Sequence, residues 1–402
     1  MTIEGLRADH CSATLYARDT TGLAIDELAH AGVLFPQAMA PAGDAGISLA
    51  ALHSGGLSLG PTQGEPRTLA QRFASAGFET AAFVAWSGEF PRPLGRGFEF
   101  RGSFSGHAAS ADANVVSNAL QWLAGRADPA RPFFLWLHLR QPAFPFEPGY
   151  GPAPAGEQLD FASLFTDPLY SGPTDGSAAY RQSVRDGVQP DPAQADLRHI
   201  VALYDGELAA TDARLHGFFE ALRARGSWDE TACVLVGANG VRLGASGARW
   251  GETDSLRDDS LRVPLILRHP QSLTGRRILG DVVEFGDIAV TLADWFALDW
   301  EAEDLAGSDP TRSLLALTDS YVERTYADRP ALAHSSDGRR SLRTQEWRLL
   351  SHPPQTAGAE PTLALHPVAL TVESERDLAA HRPAVVQQLA ARLRAGAGGG
   401  KK

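Results

Sequence analysis

Short apolar runs alternate along most of this chain with longer segments in which apolar residues recur every three or four positions. Continuous apolar runs indicate strands buried on both faces, whereas the longer spacing indicates helices with one buried face. The runs are ETAAFVAW at 79–86, PFFLWLHL at 132–139, TACVLVG at 231–237 and LRVPLILR at 261–268. Strands of this kind need helices on both sides, so the alternation predicts an α/β fold with a mostly parallel sheet sandwiched by helices.

The segments of helical spacing fall between these runs. They are RTLAQRFASA at 67–76, ANVVSNALQWLAGR at 113–126, the long segment 195–226, which reads as one helix or two, and DIAVTLADWFAL at 287–298. A Pro-, Gly- and Asp-rich segment at about 141–195 interrupts the order. We expect that segment to be a long surface loop covering the core.

The pattern changes beyond about residue 320. RRSLRTQEWRLLSH at 339–352 and PTLALHPVA at 361–369 are typical of antiparallel strands, and RPAVVQQLAARLRAG at 382–396 is typical of a helix. We therefore expect an α/β core over 1–320, a small C-terminal α+β subdomain with an antiparallel sheet over 321–394, and a flexible tail over 395–402.

Composition excludes several classes of function. The net charge of −12 disfavours nucleic acid and anionic membranes as partners. Two cysteines, Cys11 and Cys233, are too few for a disulfide framework or a thiolate metal cluster. The longest apolar runs are far shorter than the ~20 residues of a membrane span. The first residues lack a signal-peptide pattern, so we expect a cytoplasmic protein, or an exported one if the natural chain starts upstream.

Several stretches together resemble one family. LRADHCSATLYARDTT at 6–21, AGVLFPQAMAPAG at 31–43, PFFLWLHLRQPAFPFEP at 132–148 and VALYDGELAATDARL at 201–215 are similar to bacterial sulfatases of the alkaline phosphatase superfamily. The resemblance covers nearly the whole chain in the family's order. It implies an α/β sandwich whose active site lies at the carboxyl ends of the strands, and a small C-terminal sheet with a helix.

The resemblance also implies a chemistry. A divalent cation, Ca²⁺ or Mg²⁺, is held by several carboxylate or amide oxygens and neutralises the sulfate. A Cys or Ser matured to formylglycine, or an unmodified hydroxyl, is the nucleophile, and basic residues bind the sulfate oxygens. The family's site positions fall here on Glu4 and Gly5 (metal-binding Asp pair), Ala45 (nucleophile), Leu49 (Arg or His), Ala143 (His), Ala238 and Asn239 (metal-binding Asp with His or Asn), and Glu252 (Lys or His).

Only Glu4 and Asn239 in this set keep a side chain that could ligate a cation at its family position. Each also has an ordinary interpretation, since an acid near a chain start is usually solvated and Asn-Gly after a strand usually forms a turn. Glu252 could add a third oxygen, but the family has a positive charge there. No nucleophile remains at Ala45.

Other polar residues favour structural roles. Ser48 and His53 are five apart on a predicted helix, so they would not face each other as a catalytic pair. His138, inside an apolar strand, is expected to be a core histidine with satisfied hydrogen bonds. Asp205 and Glu207, in YDGE, are expected to pack the long helix. The acidic stretch ETDSLRDDS at 252–260 is expected to be a solvated loop.

The family has a buried strand just before the LRADH-like segment, yet this sequence begins within a few residues of that point. We therefore expect the first strand to be missing or truncated. If the strand is absent, the exposed sheet edge would be open to a partner strand.

These observations favour a sulfatase-like pseudoenzyme that has lost sulfate-ester hydrolysis, uses no cofactor, and binds or scaffolds an unidentified protein partner. The alternative is an active metal-dependent hydrolase of sulfuric or phosphoric esters, with Glu4, Asn239 and Glu252 around a rearranged cation and water as the nucleophile. A decayed protein without a selected function is a third interpretation. The sequence identifies neither the ligand nor the oligomeric state.

Overall fold

The structure, a computed structural model, describes residues 1–56, 66–86, 90, 93–146, 150–152, 158–244, 250–273, 275–299, 312–318, 329–356, 358–368 and 376–397. Its strands are β1 (Thr2–Ile3), β2 (Val33–Met39), β3 (Glu79–Ala85), β4 (Phe100–Phe104), β5 (Phe133–Leu139), β6 (Tyr150–Pro152), β7 (Gln158–Asp160), β8 (Cys233–Gly237), β9 (Arg262–Arg268), β10 (Arg277–Ile278), β11 (Val283–Glu284), β12 (Ala331–His334), β13 (Arg340–Arg343), β14 (Trp347–His352) and β15 (Thr362–Pro367).

The described α-helices follow the predicted alternation through the core. They are α1 (Ile25–His30), α2 (Ala45–Ser54), α3 (Leu69–Ser75), α4 (Ala108–Gly125), α5 (Ala178–Arg185), α6 (Gln194–Ala224), α7 (Asp258–Leu261), α8 (Phe285–Trp295), α9 (Leu315–Thr318) and α10 (Pro383–Ala397). None of these helices is both long enough and apolar enough to cross a membrane.

The main sheet has the strand order β10-β2-β9-β8-β1-β5-β3-β4, with β11 also paired to β2. Strand β9 runs antiparallel to both β2 and β8, and the other pairs are parallel. Apolar side chains pack on both faces of the sheet. One core includes Ile25 of α1, Val115 of α4 and Leu208 of α6, and the other includes Leu69 of α3 and Ile288 of α8. The predicted α/β fold is therefore confirmed.

The first strand, for which the expectation was that it is missing or truncated, is described over two residues, Thr2 and Ile3. β1 lies in the centre of the sheet, where Thr2 is opposite His138 of β5 and Val236 of β8. Ile3 is fully buried and joins the core between those strands. Thr2 and Ile3 thus pair with both neighbouring strands.

Two expectations about the middle of the chain were wrong or undecided. The segment 141–195 is not simply a covering loop, because it includes α5 and the hairpin of β6 and β7, and because Phe146, Phe161 and Tyr180 are buried. The segment at 195–226 forms one helix of 31 residues, α6, rather than two. Buried side chains occur along most of α6, and continuous packing explains why it stays in one piece.

The C-terminal subdomain is an antiparallel meander, β12-β13-β14-β15, with α10 packed on one face. Leu342, Leu349 and Leu365 of the sheet contact Leu389 and Leu393 of the helix. The predicted boundary at 320/321 lies outside the described residues. The predicted tail starts too early, since α10 extends to Ala397.

The acidic stretch 252–260 is not a solvated loop, which corrects the sequence-based interpretation. The Asp258 side chain is 11% exposed and forms ion pairs with two buried arginines of the C-terminal sheet, Arg343 at 3.1 Å and Arg348 at 3.6 Å. Burial alone would raise the pKa of Asp258, but the two guanidinium groups outweigh it and hold the pKa below its usual value. The stretch therefore joins the subdomain to the core.

Candidate functional site

The carboxyl ends of the central strands bring most of the predicted site positions to one end of the sheet. Glu4 and Gly5 follow β1, Ala143 follows β5, and Ala238 and Asn239 follow β8. A loop from β2 delivers Ala45 to the same end, as the first residue of α2. Because parallel strands end at the same edge, this is where an open α/β sheet places its functional groups.

The side-chain amide of Asn239 holds two loops together. Its Oδ1 accepts a hydrogen bond from the Gly5 amide at 3.0 Å, and its Nδ2 donates to the Gly43 carbonyl at 2.7 Å. Asn239 is buried. A side chain at Gly43 would overlap the carbonyl oxygen of Thr253, so that loop approaches its neighbour closely. Asn239 is thus neither a simple turn residue nor an open ligand, because both ends of its amide bind main chain.

Gly5 occupies a backbone conformation that suits glycine. Its φ is +72°, and a Cβ at this position would lie 3.0 Å from the main-chain nitrogen and Cα of Ala143. Left-handed backbone is costly for residues with a Cβ. The family's Asp at this position would therefore need a different path of the chain between β1 and the LRADH-like segment.

Apolar and aromatic side chains surround the start of α2. Ala45, Leu49 and Ala238 belong to one buried cluster with Trp136 of β5, and Trp86, the residue after β3, packs against it. The indole of Trp86 lies over Gly46 of the helix, 3.6 Å from the position of a Cβ there. Trp86, Phe90, Phe98 and His53 thus surround Trp136 as a cluster of aromatic rings. The signal for this cluster in the sequence is a pair of tryptophans, one directly after β3 and one inside β5, and the resemblance to the family did not indicate it.

Ser48 and His53 do not form a pair. The Ser48 hydroxyl donates to the Ala42 carbonyl at 2.9 Å. The His53 ring lies 4.3 Å from the ring of Trp136, centroid to centroid, and is buried. Neither ring nitrogen of His53 has a hydrogen-bond partner within the described ranges. Burial lowers the pKa of His53 to about 3, so the imidazole is neutral at physiological pH.

Glu4 lies next to a polar relay inside the sheet. The Trp136 indole donates to Thr2 Oγ1 at 2.9 Å, and Thr2 Oγ1 lies 2.9 Å from Nδ1 of His138. His138 Nε2 is 4.0 Å from Glu4 Oε2, too far for a hydrogen bond, and has no hydrogen-bond partner among the residues described. The expectation that His138 is fully satisfied is therefore only half right.

The protonation states of this relay follow from burial. The Glu4 side chain is 27% exposed, and burial nevertheless raises its pKa to about 7, even though Arg140 acts in the opposite direction. Burial lowers the pKa of His138 to about 3. Glu4 is therefore partly solvated, and its pKa differs from that of a free surface acid.

Glu252 lies among arginines rather than at a cation position. Its carboxylate is 2.9 Å from Arg185 and 3.7 Å from Arg242. Asp205 is also engaged, since it accepts hydrogen bonds from Tyr16 and Arg18 and lies 2.8 Å from His10 Nδ1. Both carboxylates hold neighbouring segments in place. Across the described ranges, no three His, Cys, Asp or Glu side chains are grouped closely enough to share a metal ion.

Comparison with known proteins agrees with the architecture. The family model described as Sulfatase matches residues 1–298. The phosphonate monoester hydrolase of Agrobacterium radiobacter superposes with a TM-score of 0.73 at 18% identity, covering 98% of this chain and 94% of that one. BT4656, solved with its substrate D-glucosamine-2-N,6-O-disulfate, gives a TM-score of 0.72 at 16% identity, covering 100% and 98%.

A third similar structure is the phosphonate monoester hydrolase SpPMH of Silicibacter pomeroyi. It has a TM-score of 0.69 and 17% identity, covering 98% of this chain and 93% of that one. These identities are low enough that the superpositions establish the fold alone. The family match covers most of the chain, and the chain belongs to the sulfatase family of the alkaline phosphatase superfamily.

Proposed function

We propose that this protein is a sulfatase-family pseudoenzyme, which keeps the fold, does not hydrolyse sulfate esters, and acts by binding another molecule. The observation that carries the proposal is the double engagement of Asn239. Its amide bonds the main chain at Gly5 and at Gly43, so the residue joins two loops at the place where the family holds its cation.

The donor set supports this proposal, because the residues at the family positions do not fit a hard divalent cation. Ca²⁺ takes six to eight oxygens and Mg²⁺ takes six, with negative charge to compensate. Here Ala238 has no donor, Asn239 is held by two loops, and Glu252 is paired with arginines. Glu4 alone remains, and one carboxylate falls far short of the six or more oxygens that such a cation takes.

The side chains at the start of α2 also support the pseudoenzyme proposal. Ala45 provides a methyl group where the family has its nucleophile, and it packs in the apolar cluster with Leu49 and Trp136. The nearest hydroxyl along the helix, that of Ser48, is buried and donates to Ala42. At Ala45 a sulfate would therefore meet apolar side chains, and taking its charge out of water there costs several kcal/mol.

Thermal unfolding in Ca²⁺, Mg²⁺ and Mn²⁺, after removal of metal with a chelator, tests the proposal. A ligand at 100 times its dissociation constant stabilises the native state by about 2.7 kcal/mol. We expect the unfolding midpoint to stay constant with each cation. A saturable rise that disappears in Glu4→Gln or Asn239→Ala would contradict the pseudoenzyme proposal.

One observation favours the alternative, an active ester hydrolase. A carboxyl group with a pKa of about 7 at the carboxyl end of a central strand suits a general base near neutral pH. Assays with an aryl sulfate, an aryl phosphate and an aryl phosphonate distinguish the two functions. Turnover that is lost in Glu4→Gln, but kept in Glu252→Gln, would establish the hydrolase with Glu4 as its base.

A further inference from the structure

The outermost strand on one side of the main sheet, β4, has an open edge. By contrast, the chain itself closes both edges of the C-terminal sheet. On β15, the Leu365 amide donates to the Asp377 carboxylate, and the Leu365 carbonyl accepts from the Leu378 amide. On β12, two main-chain amides donate to the Glu284 side chain and to the Pro41 carbonyl. Within the described ranges, no such hydrogen bond reaches β4 from outside the sheet.

Main-chain groups of alternate residues in β4 point away from the sheet. The Trp86 amide donates to the Phe104 carbonyl at 2.9 Å, which is a bond between β4 and the end of β3. In a parallel pair every second residue of a strand bonds to the same neighbour, so the even-numbered residues of β4 bond towards β3. The main-chain groups of Arg101 and Ser103 therefore point outwards. Unpaired groups of this kind are a template for another strand.

β4 lacks the features that usually keep a sheet edge from pairing. Its five residues, FRGSF at 100–104, include neither proline nor lysine, and they pair with β3 without a bulge. The one charged side chain, that of Arg101, lies beside a turn, because its Nη1 is 3.0 Å from the position of a Cβ on Gly95. Phe100 is 45% exposed, and in the described part of the chain it is the only aromatic residue among the exposed large apolar side chains.

We infer that β4 pairs antiparallel with β4 of a second copy of this chain, about a two-fold axis at Gly102. This register places Phe100 opposite the partner's Phe104, and Arg101 opposite the partner's Ser103. The second of these pairs exchanges main-chain hydrogen bonds, since its main-chain groups point outwards, and the two phenyl rings meet across the narrower spacing. A register centred on Arg101 would instead place like charges directly opposite each other, which is destabilising.

The side chains of β4 favour a second copy over a strand of a different protein. The Phe100 ring lies 6.0 Å from the ring of Trp122 in α4, so the even-numbered side chains of β4 are on the face that α4 covers. The ring of Phe104 lies across Gly102, 3.1 Å from the position of a Cβ there. Because Gly102 has no side chain, the axis stays open for the rings of both copies. The pattern Phe-x-Gly-x-Phe is thus its own complement in this register.

The small size of this interface predicts a reversible dimer. Two paired strands of five residues bury less than the about 1,600 Å² of a standard interface, so we expect a dissociation constant in the micromolar range. β5 and β3 separate β4 from β1, and three strand spacings amount to about 14 Å. The inference therefore does not depend on the proposed function at the ends of the central strands.

Sedimentation velocity over a range of micromolar concentrations provides the first test. We expect the mass of the wild-type protein to rise with concentration from 42.9 kDa towards twice that value. Ser103→Pro removes an outward donor at an edge position that tolerates proline, so it should stay monomeric, whereas Ser103→Thr keeps the donor and should dimerise. A monomeric wild type at every concentration, or equal dimerisation of Ser103→Pro, would overturn the pairing of two copies through β4.

Disulfide formation between two variants tests the register, and it keeps the inference testable if Ser103→Pro fails to fold. Arg101→Cys is mixed with Ser103→Cys, since Cα atoms of a hydrogen-bonded pair lie about 5.5 Å apart, within disulfide range. The natural cysteines are both buried. We expect this mixture to form covalent dimers faster than a mixture of Arg101→Cys with Leu169→Cys, an exposed position on another segment. Equal rates, or faster dimerisation of Arg101→Cys alone, would overturn the two-fold axis at Gly102.

Discussion

Asn239 Oδ1 accepts a hydrogen bond from the amide of Gly5, a residue 234 positions earlier in the chain. The other end of the same side chain reaches the Gly43 carbonyl. One amide therefore joins three segments, those that contain Gly5, Gly43 and Asn239. A side chain with this role needs one acceptor and one donor, and the Asn amide supplies them on two separate atoms.

Asn239→Asp tests that requirement. The carboxylate keeps the acceptor for Gly5 but faces the Gly43 carbonyl with a second acceptor, so we expect a loss of about 1–3 kcal/mol in the free energy of unfolding. Chemical denaturation with and without Ca²⁺ measures this loss of stability. Asn239→Ala is the control, since it removes both bonds without adding charge. Rescue of Asn239→Asp by Ca²⁺ to above the wild-type stability would show that a cation position remains.

Gly5→Ala is expected to destabilise the protein through both backbone strain and contact. The strain of a left-handed residue costs about 1–2 kcal/mol, and the new Cβ also meets the main chain of Ala143 at 3.0 Å. Gly77→Ala is a matched control, because Gly77 has a φ of +90° and open space around its Cβ position. The unfolding midpoint is measured for both variants. The difference between the losses in Gly5→Ala and Gly77→Ala gives the cost of the contact with Ala143. Equal losses would mean that the loop at Ala143 adjusts freely.

Asp258→Ala is expected to weaken the attachment of the C-terminal subdomain. The substitution removes the carboxylate from beside Arg343 and Arg348, and breaking a buried pair typically costs about 3–5 kcal/mol. Limited proteolysis and the unfolding midpoint are the measurements. Glu99→Ala is the control, since its pair with Arg131 is exposed and worth about 1 kcal/mol or less. Similar effects for both variants would contradict a docking role for Asp258.

His53→Phe is expected to reduce the loss of stability in acid. The folded-state pKa is about 3 and the reference value is 6.5, so between these values the unfolded chain binds a proton that the folded chain does not. The free energy of unfolding therefore falls as the pH falls through this window, by up to about 1.4 kcal/mol per pH unit. Denaturation at pH 7 and pH 4.5 measures the slope. An unchanged slope in His53→Phe would contradict the buried, neutral state of this imidazole.

Much of the fold could be predicted because its strands have strong local signals. The runs that became β3, β5, β8 and β9 are continuous and apolar, and their structural bounds lie within a few residues of the predicted ones. The antiparallel C-terminal sheet was predicted for the same reason. A continuous apolar run must be buried on both faces, and a strand inside a sheet covered by helices is one of the few structures that allow this.

The contacts of the candidate site could not be predicted, because they join residues that are distant in sequence. Nothing in the local sequence around Asn239 indicates Gly5 or Gly43 as partners. Asp258 looks like a surface acid until Arg343 and Arg348 are placed beside it. Likewise, Glu4 follows an unremarkable start of the chain, and only its central position between β5 and β8 explains its raised pKa.

β1 is the strand through which the two halves of the main sheet are joined in the part of the chain that the structure describes. β5, β3 and β4 lie on one side of it, and β8, β9 and β2 lie on the other. Thr2 and Ile3 are buried between these halves. Amide hydrogens bonded in this pairing should therefore exchange with solvent only when the sheet separates across its centre, which places them among the slowest in the molecule.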